Sequence, residues 1–166
     1  MDFKVKNRHR LKEKDIKKII RELKNEFEDD FFDEKATVET GDFEDKKILI
    51  VNGEASFLYY QDKIILTLLG LNKFHPKKKY VVVDMGAVRF VTNGADVMAP
   101  GVINSDKNIN KGDQVWICDE RNHKPIAVGI AQMSGEEMVR EKKGKAIEIF
   151  HYVGDKLWNA LATSIN

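Results

Sequence analysis

The stretch Val81 to Val102, VVVDMGAVRFVTNGADVMAPGV, constrains this chain more than any other. It begins with consecutive valines, the composition of a buried strand. Asp84-Met85-Gly86 then interrupts the strand. Ala87 and Phe90, like Val88 and Val91, stand one helical turn apart, which suits a short helix. Asn93-Gly94 is a turn signal, because glycine reaches positive φ without steric penalty. Val97-Met98 is a second apolar pair, and Pro100-Gly101 closes the unit with another turn. Strand, helix, glycine loop, strand and turn follow one another within very few residues, a dense arrangement for a stretch with no catalytic triad and no metal-ligand spacing.

Asp84-Met85-Gly86-Ala87 followed by Asn93-Gly94-Ala95-Asp96-Val97-Met98-Ala99-Pro100-Gly101 resembles the signature of the PUA domain. That RNA-binding module is named after pseudouridine synthases and archaeosine transglycosylases. The run Lys145 to Tyr152, ending at Asp155-Lys156-Leu157-Trp158, is similar to the stand-alone members related to the malignant-T-cell-amplified and density-regulated (ligatin-related) translation proteins. The resemblance is specific over residues 79–158 and rests on architecture before that. It implies a PUA pseudo-β-barrel preceded by an N-terminal pre-PUA domain, a non-catalytic α+β protein with no cofactor. It also implies a role in translation: binding the small ribosomal subunit and structured RNA (tRNA or rRNA) during initiation, reinitiation or recycling. In that group the N-terminal domain meets a protein partner with a small initiation-factor fold. An archaeal member is the expectation, and abundant Lys, Glu and Ile suit a thermophile.

The single cysteine, Cys118, excludes an intramolecular disulfide and a cysteine-based zinc site. It falls in an expected strand and reads as packing. No apolar run approaches the ~20 residues that span a bilayer, and MDFKVKNRHR lacks the apolar core of a signal peptide. The expectation is a cytoplasmic protein with no membrane partner. Net charge is only +1, so any affinity for nucleic acid depends on where the charges lie.

The chain divides, by composition, at Pro76 and the Lys77-Lys78-Lys79 run. The expected domains are 1–76, an α+β pre-PUA domain, 77–158, the barrel, and 159–166, a tail. Lys4, Lys6, Arg8, His9, Arg10, Lys12 and Lys14 read either as a solvated, frayed start or as an auxiliary phosphate-binding patch. Ile16, Ile19, Ile20, Leu23 and Phe27 share one face, so the spacing from Leu11 to Phe27 predicts an amphipathic helix. The acidic cluster Glu28, Asp29, Asp30, Asp33 and Glu34 lacks regular ligand spacing and reads as a helix-ending loop. A strand is expected over Ala36–Thr40, turned by Gly41-Asp42. Asn52-Gly53 is a type I′ hairpin signal between Lys47–Val51 and Ala55–Tyr60. Thr67 is a candidate cap for a short helix. In the second half Asn104 to Asn110 is polar and turn-rich. Gln114–Cys118 and the residues around Ile126, Val128 and Ile130 alternate as strands, and Ser134 with Glu137 has capping-box spacing. Many short strands with frequent turns suggest a small closed barrel.

No catalytic constellation emerges. His9, His75, His123 and His151 show no metal-ligand spacing. No serine sits in a nucleophile elbow, and the glycines form no dinucleotide motif. Asp84, at a strand end before a glycine, reads as a turn former or cap. The expected RNA-binding residues are the loop Asn93, Gly94, Ala95, Met98, Ala99, Pro100 and Gly101, where backbone N–H groups could approach a phosphate. Lys77, Lys78, Lys79, Arg89, Lys142, Lys143 and Lys145 would supply the electrostatic attraction if they gather on one face. Asp96 places a negative charge inside that loop. Gly94, Pro100 and Gly101 also read as residues that merely close a tight barrel corner. Two other readings compete with the translation role: an RNA-targeting subunit of a separate RNA-modification enzyme, and a protein–protein adaptor.

Overall fold

The structure, a computed structural model, describes residues 5–164, so Lys4 of the basic N-terminal run lies outside the described residues. The chain forms two units, Met1–Pro76 with Ala160–Asn166, and Lys77–Asn159.

The first unit is a five-stranded antiparallel sheet in which each strand pairs with the next in sequence: β1 (Lys6–Arg10), β2 (Val38–Phe43), β3 (Lys46–Val51), β4 (Glu54–Tyr60) and β5 (Lys63–Leu66). Helix α1 (Glu13–Phe27) turns Ile16, Ile19, Leu23 and Phe27 inward, each burial contributing about 2 kcal/mol. Two expectations change here. Within the described part of the basic run, Lys6–Arg10 is solvent-exposed yet ordered as strand β1, paired with β2 through His9 and Thr40. Gly41 does not turn the chain but sits inside β2, where a Cβ would meet the side chain of Val5. The Asn52-Gly53 turn has φ of +50° and +83°, as a type I′ hairpin requires. Thr67 caps α2 (Leu68–Phe74), its hydroxyl accepting from Gly70 N–H at 3.0 Å while donating to the Ala55 carbonyl at 2.8 Å. The acidic segment after α1 is a loop pinned by Phe31, which meets Phe27 and Phe74 edge-on at 5.5 and 5.3 Å.

The second unit is a six-stranded sheet curled into a half-barrel, ordered β7 (Val97–Met98), β11 (Lys145–Tyr152), β10 (Pro125–Ala131), β9 (Gln114–Asp119), β6 (Tyr80–Val83) and β8 (Val102–Ser105). All neighbours are antiparallel except β6 and β9, which run parallel. Strand β8 takes in Asn104 and Ser105, the first two residues of the stretch that reads as polar turn. It forms because Ile103 and Asn104 point outward while Val102 and Ser105 are buried, Ser105 donating to the Gly135 carbonyl. The short α3 (Met85–Val91) connects β6 to the β7 loop, and α4 (Gly135–Glu141) carries the Ser134–Glu137 capping box. A core of Val81, Val83, Ile117, Ala127, Met138 and Ile147 fills the curl. Cys118 is buried, and burial, then the charge of Asp119, pushes its thiol up to about 12, which leaves it an inert packing group.

The segment read as a tail is largely helical: α5 runs Lys156–Ser164. Asp155 starts it, accepting from Trp158 N–H at 2.7 Å and Tyr152 N–H at 2.9 Å. The same carboxylate binds Nδ1 of the fully buried His151 at 2.8 Å. Burial pushes the Asp155 carboxyl up, but His151 and the two N–H donors outweigh it and hold it below the ordinary carboxylate value. No helix among the described residues is long and apolar enough to cross a membrane.

Candidate nucleic-acid interface

The central stretch builds a cleft of about 390 Å³ on the second unit. Strand β6 delivers the chain to Asp84, whose carboxylate caps α3 by accepting from Ala87 N–H at 2.8 Å. Glu120, from the β9–β10 hairpin, accepts the Met85 N–H at 2.6 Å. The first turn of α3 is therefore already occupied by two carboxylates. Val91 is the buried side of this helix, at 1% exposure, whereas Phe90 is 57% exposed and leans into the cleft. Met98, 50% exposed, and Pro100 line the cleft with it. An exposed aromatic beside a thioether and a proline ring is a surface on which a planar base can stack.

The glycine loop works differently from the sequence expectation. Its first N–H groups turn back on α3: Asn93 and Ala95 donate to the Phe90 carbonyl at 3.1 and 3.0 Å, and Gly94 donates to Val91 at 2.9 Å. The Asn93 amide donates to the Arg89 carbonyl at 2.9 Å. The start of the loop therefore closes the end of α3, and the Asn93, Gly94 and Ala95 donors are spent there. Gly94 has φ +90°, and a Cβ would sit 2.9 Å from the Tyr152 hydroxyl, so both the conformation and the close approach require glycine. Gly101 has no such φ; its carbonyl receives the Asp84 N–H at 3.0 Å. Ala99 is buried, and its N–H donates to Gly144 at 2.8 Å.

The expected cations divide. Lys145 opposes Met98 across β11 and β7, which brings Lys145 beside the cleft; Lys143, two residues earlier, is exposed. Lys145 Nζ pairs with Asp96 at 3.0 Å, and the hydrogen bond and charge of that carboxylate push the ammonium up. Asp96 also accepts the Ile149 N–H at 2.9 Å, so the acid that looked out of place in the loop anchors it to β11. Lys142, in the left-handed conformation that ends α4, donates its ammonium to the Val102 carbonyl at 2.8 Å. Arg89 is exposed, its guanidinium 5.5 Å from the Phe90 ring centre. Lys77, Lys78 and Lys79 enter β6 at the end opposite α3, about 13 Å of strand away. Lys79 is spent in a shielded pair with Asp113 at 2.6 Å, and Lys78 lends its carbonyl to the Trp116 indole N–H at 2.8 Å. Arg89 and Lys145 are thus the expected cations placed around the cleft.

Phe90 is the residue that sequence reasoning left out of the interface. Ala87/Phe90 and Val88/Val91 have the same spacing and similar hydropathy, so periodicity alone does not say which pair faces outward. Among the described residues no three His, Cys, Asp or Glu side chains come together to hold a metal ion.

This cleft belongs to a recognised architecture. Residues 79–153 match the PUA domain, an RNA-binding module, and residues 7–74 match a domain of unknown function, DUF1947. An uncharacterised protein of Methanocaldococcus jannaschii is 48% identical over 159 residues, 95% of this chain and 98% of that one. Translation machinery-associated protein 20 of Saccharomyces cerevisiae is 34% identical over 138 residues, 79% of this chain and 76% of that one. The crystal structure of a hypothetical protein from the archaeon Pyrococcus horikoshii superposes with a TM-score of 0.83 at 35% identity, over 93% of this chain and 99% of that one. The chain belongs to the PUA-domain family that includes translation machinery-associated protein 20 and the malignant T-cell-amplified proteins.

Proposed function

We propose that the chain is a non-catalytic, cytoplasmic RNA-binding protein of the translation apparatus. It acts on the small ribosomal subunit, on tRNA or on both, during initiation, reinitiation or recycling. The observation that carries this reading is the pair of exposed apolar side chains, Phe90 and Met98, at the mouth of the cleft of a PUA unit. Stacking one base on an aromatic side chain contributes about 1–3 kcal/mol. Arg89 and Lys145 lie where they can follow the backbone of the bound nucleotides. The similarity to translation machinery-associated protein 20 of yeast supports the translation setting. In the same reading, the first unit meets a protein partner with a small initiation-factor fold.

The test is binding of the full chain to tRNA and to purified small ribosomal subunits, with the Phe90→Ala/Met98→Ala double variant alongside. The expected result is roughly tenfold or greater loss of affinity in the variant, the equivalent of one lost stacking contact. Wild-type protein that binds neither RNA, or that co-purifies from its native cell with an RNA-modification enzyme rather than with small subunits, would overturn the assignment.

A further inference from the structure

The total charge of +1 conceals an asymmetry. Residues 6–24 hold nine cations and three acids, a net of +6, so the remainder of the chain carries −5. Helix α1 sorts these charges by face. Its apolar stripe, Ile16, Ile19, Leu23 and Phe27, faces the core. At about 100° per residue, the directions opposite that stripe fall to Lys14, Lys17, Lys18 and Arg21, with the neutral Asn25 among them, all within a band about 100° wide. All five of these side chains are exposed. No acid falls within the band. Asp15 and Glu22 lie on its flank and turn toward the first sheet. The Tyr59 phenol of β4 is pushed up by burial and then by Glu22 and Asp15.

Local pairing does not account for the band. Lys17 meets Glu13 at 3.4 Å and Lys24 meets Asp30 at 3.3 Å, but these acids are 70% and 78% exposed, so the pairs contribute little and exchange readily. Lys14, Lys18 and Arg21 have no ion pair among the described residues. A helix face that is only solvated alternates signs and gains from i,i+4 pairs. Lys17 and Arg21 border the acidic loop of Asp30, Asp33 and Glu34, whereas Lys14 and Lys18, exposed and without an ion pair among the described residues, repel one another, a cost that a polyanion relieves.

We propose that the outward face of α1 is a second RNA contact, which grips phosphates of structured RNA independently of the PUA cleft. Lys14, Lys18 and Arg21 span about 10 Å along the helix, enough for two or three phosphates. RNA is favoured over an acidic protein because the same chain carries an RNA-binding unit. A second weak contact to one polymer multiplies affinity through effective concentration. This inference rests on the RNA-binding reading above, and the test separates the two.

The experiment measures binding of the full chain to tRNA over a salt series. It compares Lys14→Gln/Lys18→Gln/Arg21→Gln, Phe90→Ala/Met98→Ala, and an equal-charge control on the second unit, Lys107→Gln/Lys111→Gln/Lys124→Gln. Glutamine is a good helix former, so the first variant keeps α1 folded, which circular dichroism checks. The expected result is that the α1 variant flattens the slope of log K against log salt by about 2 and loses roughly tenfold or more in affinity at low salt. The cleft variant should lose affinity with its slope unchanged, and the control should change neither. An unchanged slope in the α1 variant, with the cleft variant weakened, overturns this inference and leaves the functional reading standing. An equal loss in the control overturns it too, by assigning the effect to net charge. Wild-type protein that binds no tRNA overturns both.

Discussion

In the sheet of the first unit, strand order follows the chain from β1 to β5, and every partner is the next strand in sequence. In the sheet of the second unit only β9–β10 and β10–β11 join sequence neighbours. There β7 closes on β11 through Val97 and Ile147, and β6 runs parallel to β9. The first sheet can form by successive hairpins, whereas the second must bring distant segments together before its pairs form. The cleft lies where the second sheet departs most from sequence order, between α3 and the β7–β11 edge. In return for that closure, side chains from distant segments are held around one concavity, which a run of hairpins does not supply.

The strongest test of the comparison is separation. Residues 77–166 expressed alone should give a cooperative thermal transition, because the core from Val81 to Ile147 is drawn from this unit. A fragment without such a transition would mean that both sheets depend on one core.

Next in size, Phe57→Ala should cost the first unit about 4 kcal/mol. Phe57 is fully buried and packs against Phe31 at 6.1 Å and Phe74 at 5.8 Å. Both tryptophans, Trp116 and Trp158, belong to the second unit. Circular dichroism should therefore show an early transition while tryptophan fluorescence holds its midpoint. Coincident shifts would erase the distinction between the two regions.

Gly94→Val probes the non-local closure itself. Positive φ and the Tyr152 contact make it about 2 kcal/mol destabilising to the second unit. The displaced end of α3 carries Phe90, so RNA affinity should fall as well. A folded variant with wild-type affinity would separate the loop from the interface.

Asp155 gives the second unit an acid sensitivity. Burial raises its carboxyl, and hydrogen bonds from His151, Trp158 and Tyr152 lower it further than burial raises it, so the folded value is depressed. The stability it contributes is complete above the ordinary carboxylate range and is lost as pH falls through the depressed folded value. Asp155→Asn should cost about 1 kcal/mol at neutral pH and reduce the acid dependence of the fluorescence transition. An unaltered pH profile would remove Asp155 from the account. The smallest effect is expected from Lys145→Gln, whose pair with Asp96 is partly exposed: stability should change by less than about 0.5 kcal/mol in urea titration. A larger loss would make that pair a structural clamp on β11.

The chain by itself determined what rests on neighbours a few residues apart. The caps at Thr67, Asp84 and Ser134 and the Asn52-Gly53 hairpin are present as read, because each needs only a side chain and the next turn of backbone. The inward face of α1 is legible for the same reason, since helical period fixes it. The resemblance around Asp84 and Gly101 identified the PUA unit before any packing was known. Tertiary structure decided the rest. β1 became a strand because β2 was there to pair with it, and Gly41 was drawn into β2 by the same register. Lys79 and Lys142 turned inward to an acid and a carbonyl 34 and 40 residues away, and Asp96 became an anchor for a strand 53 residues away. Phe90 turned outward because Val91 took the buried side of α3. Composition and spacing do not encode which of two equivalent faces meets a distant partner. That choice is made by the core that closes around it.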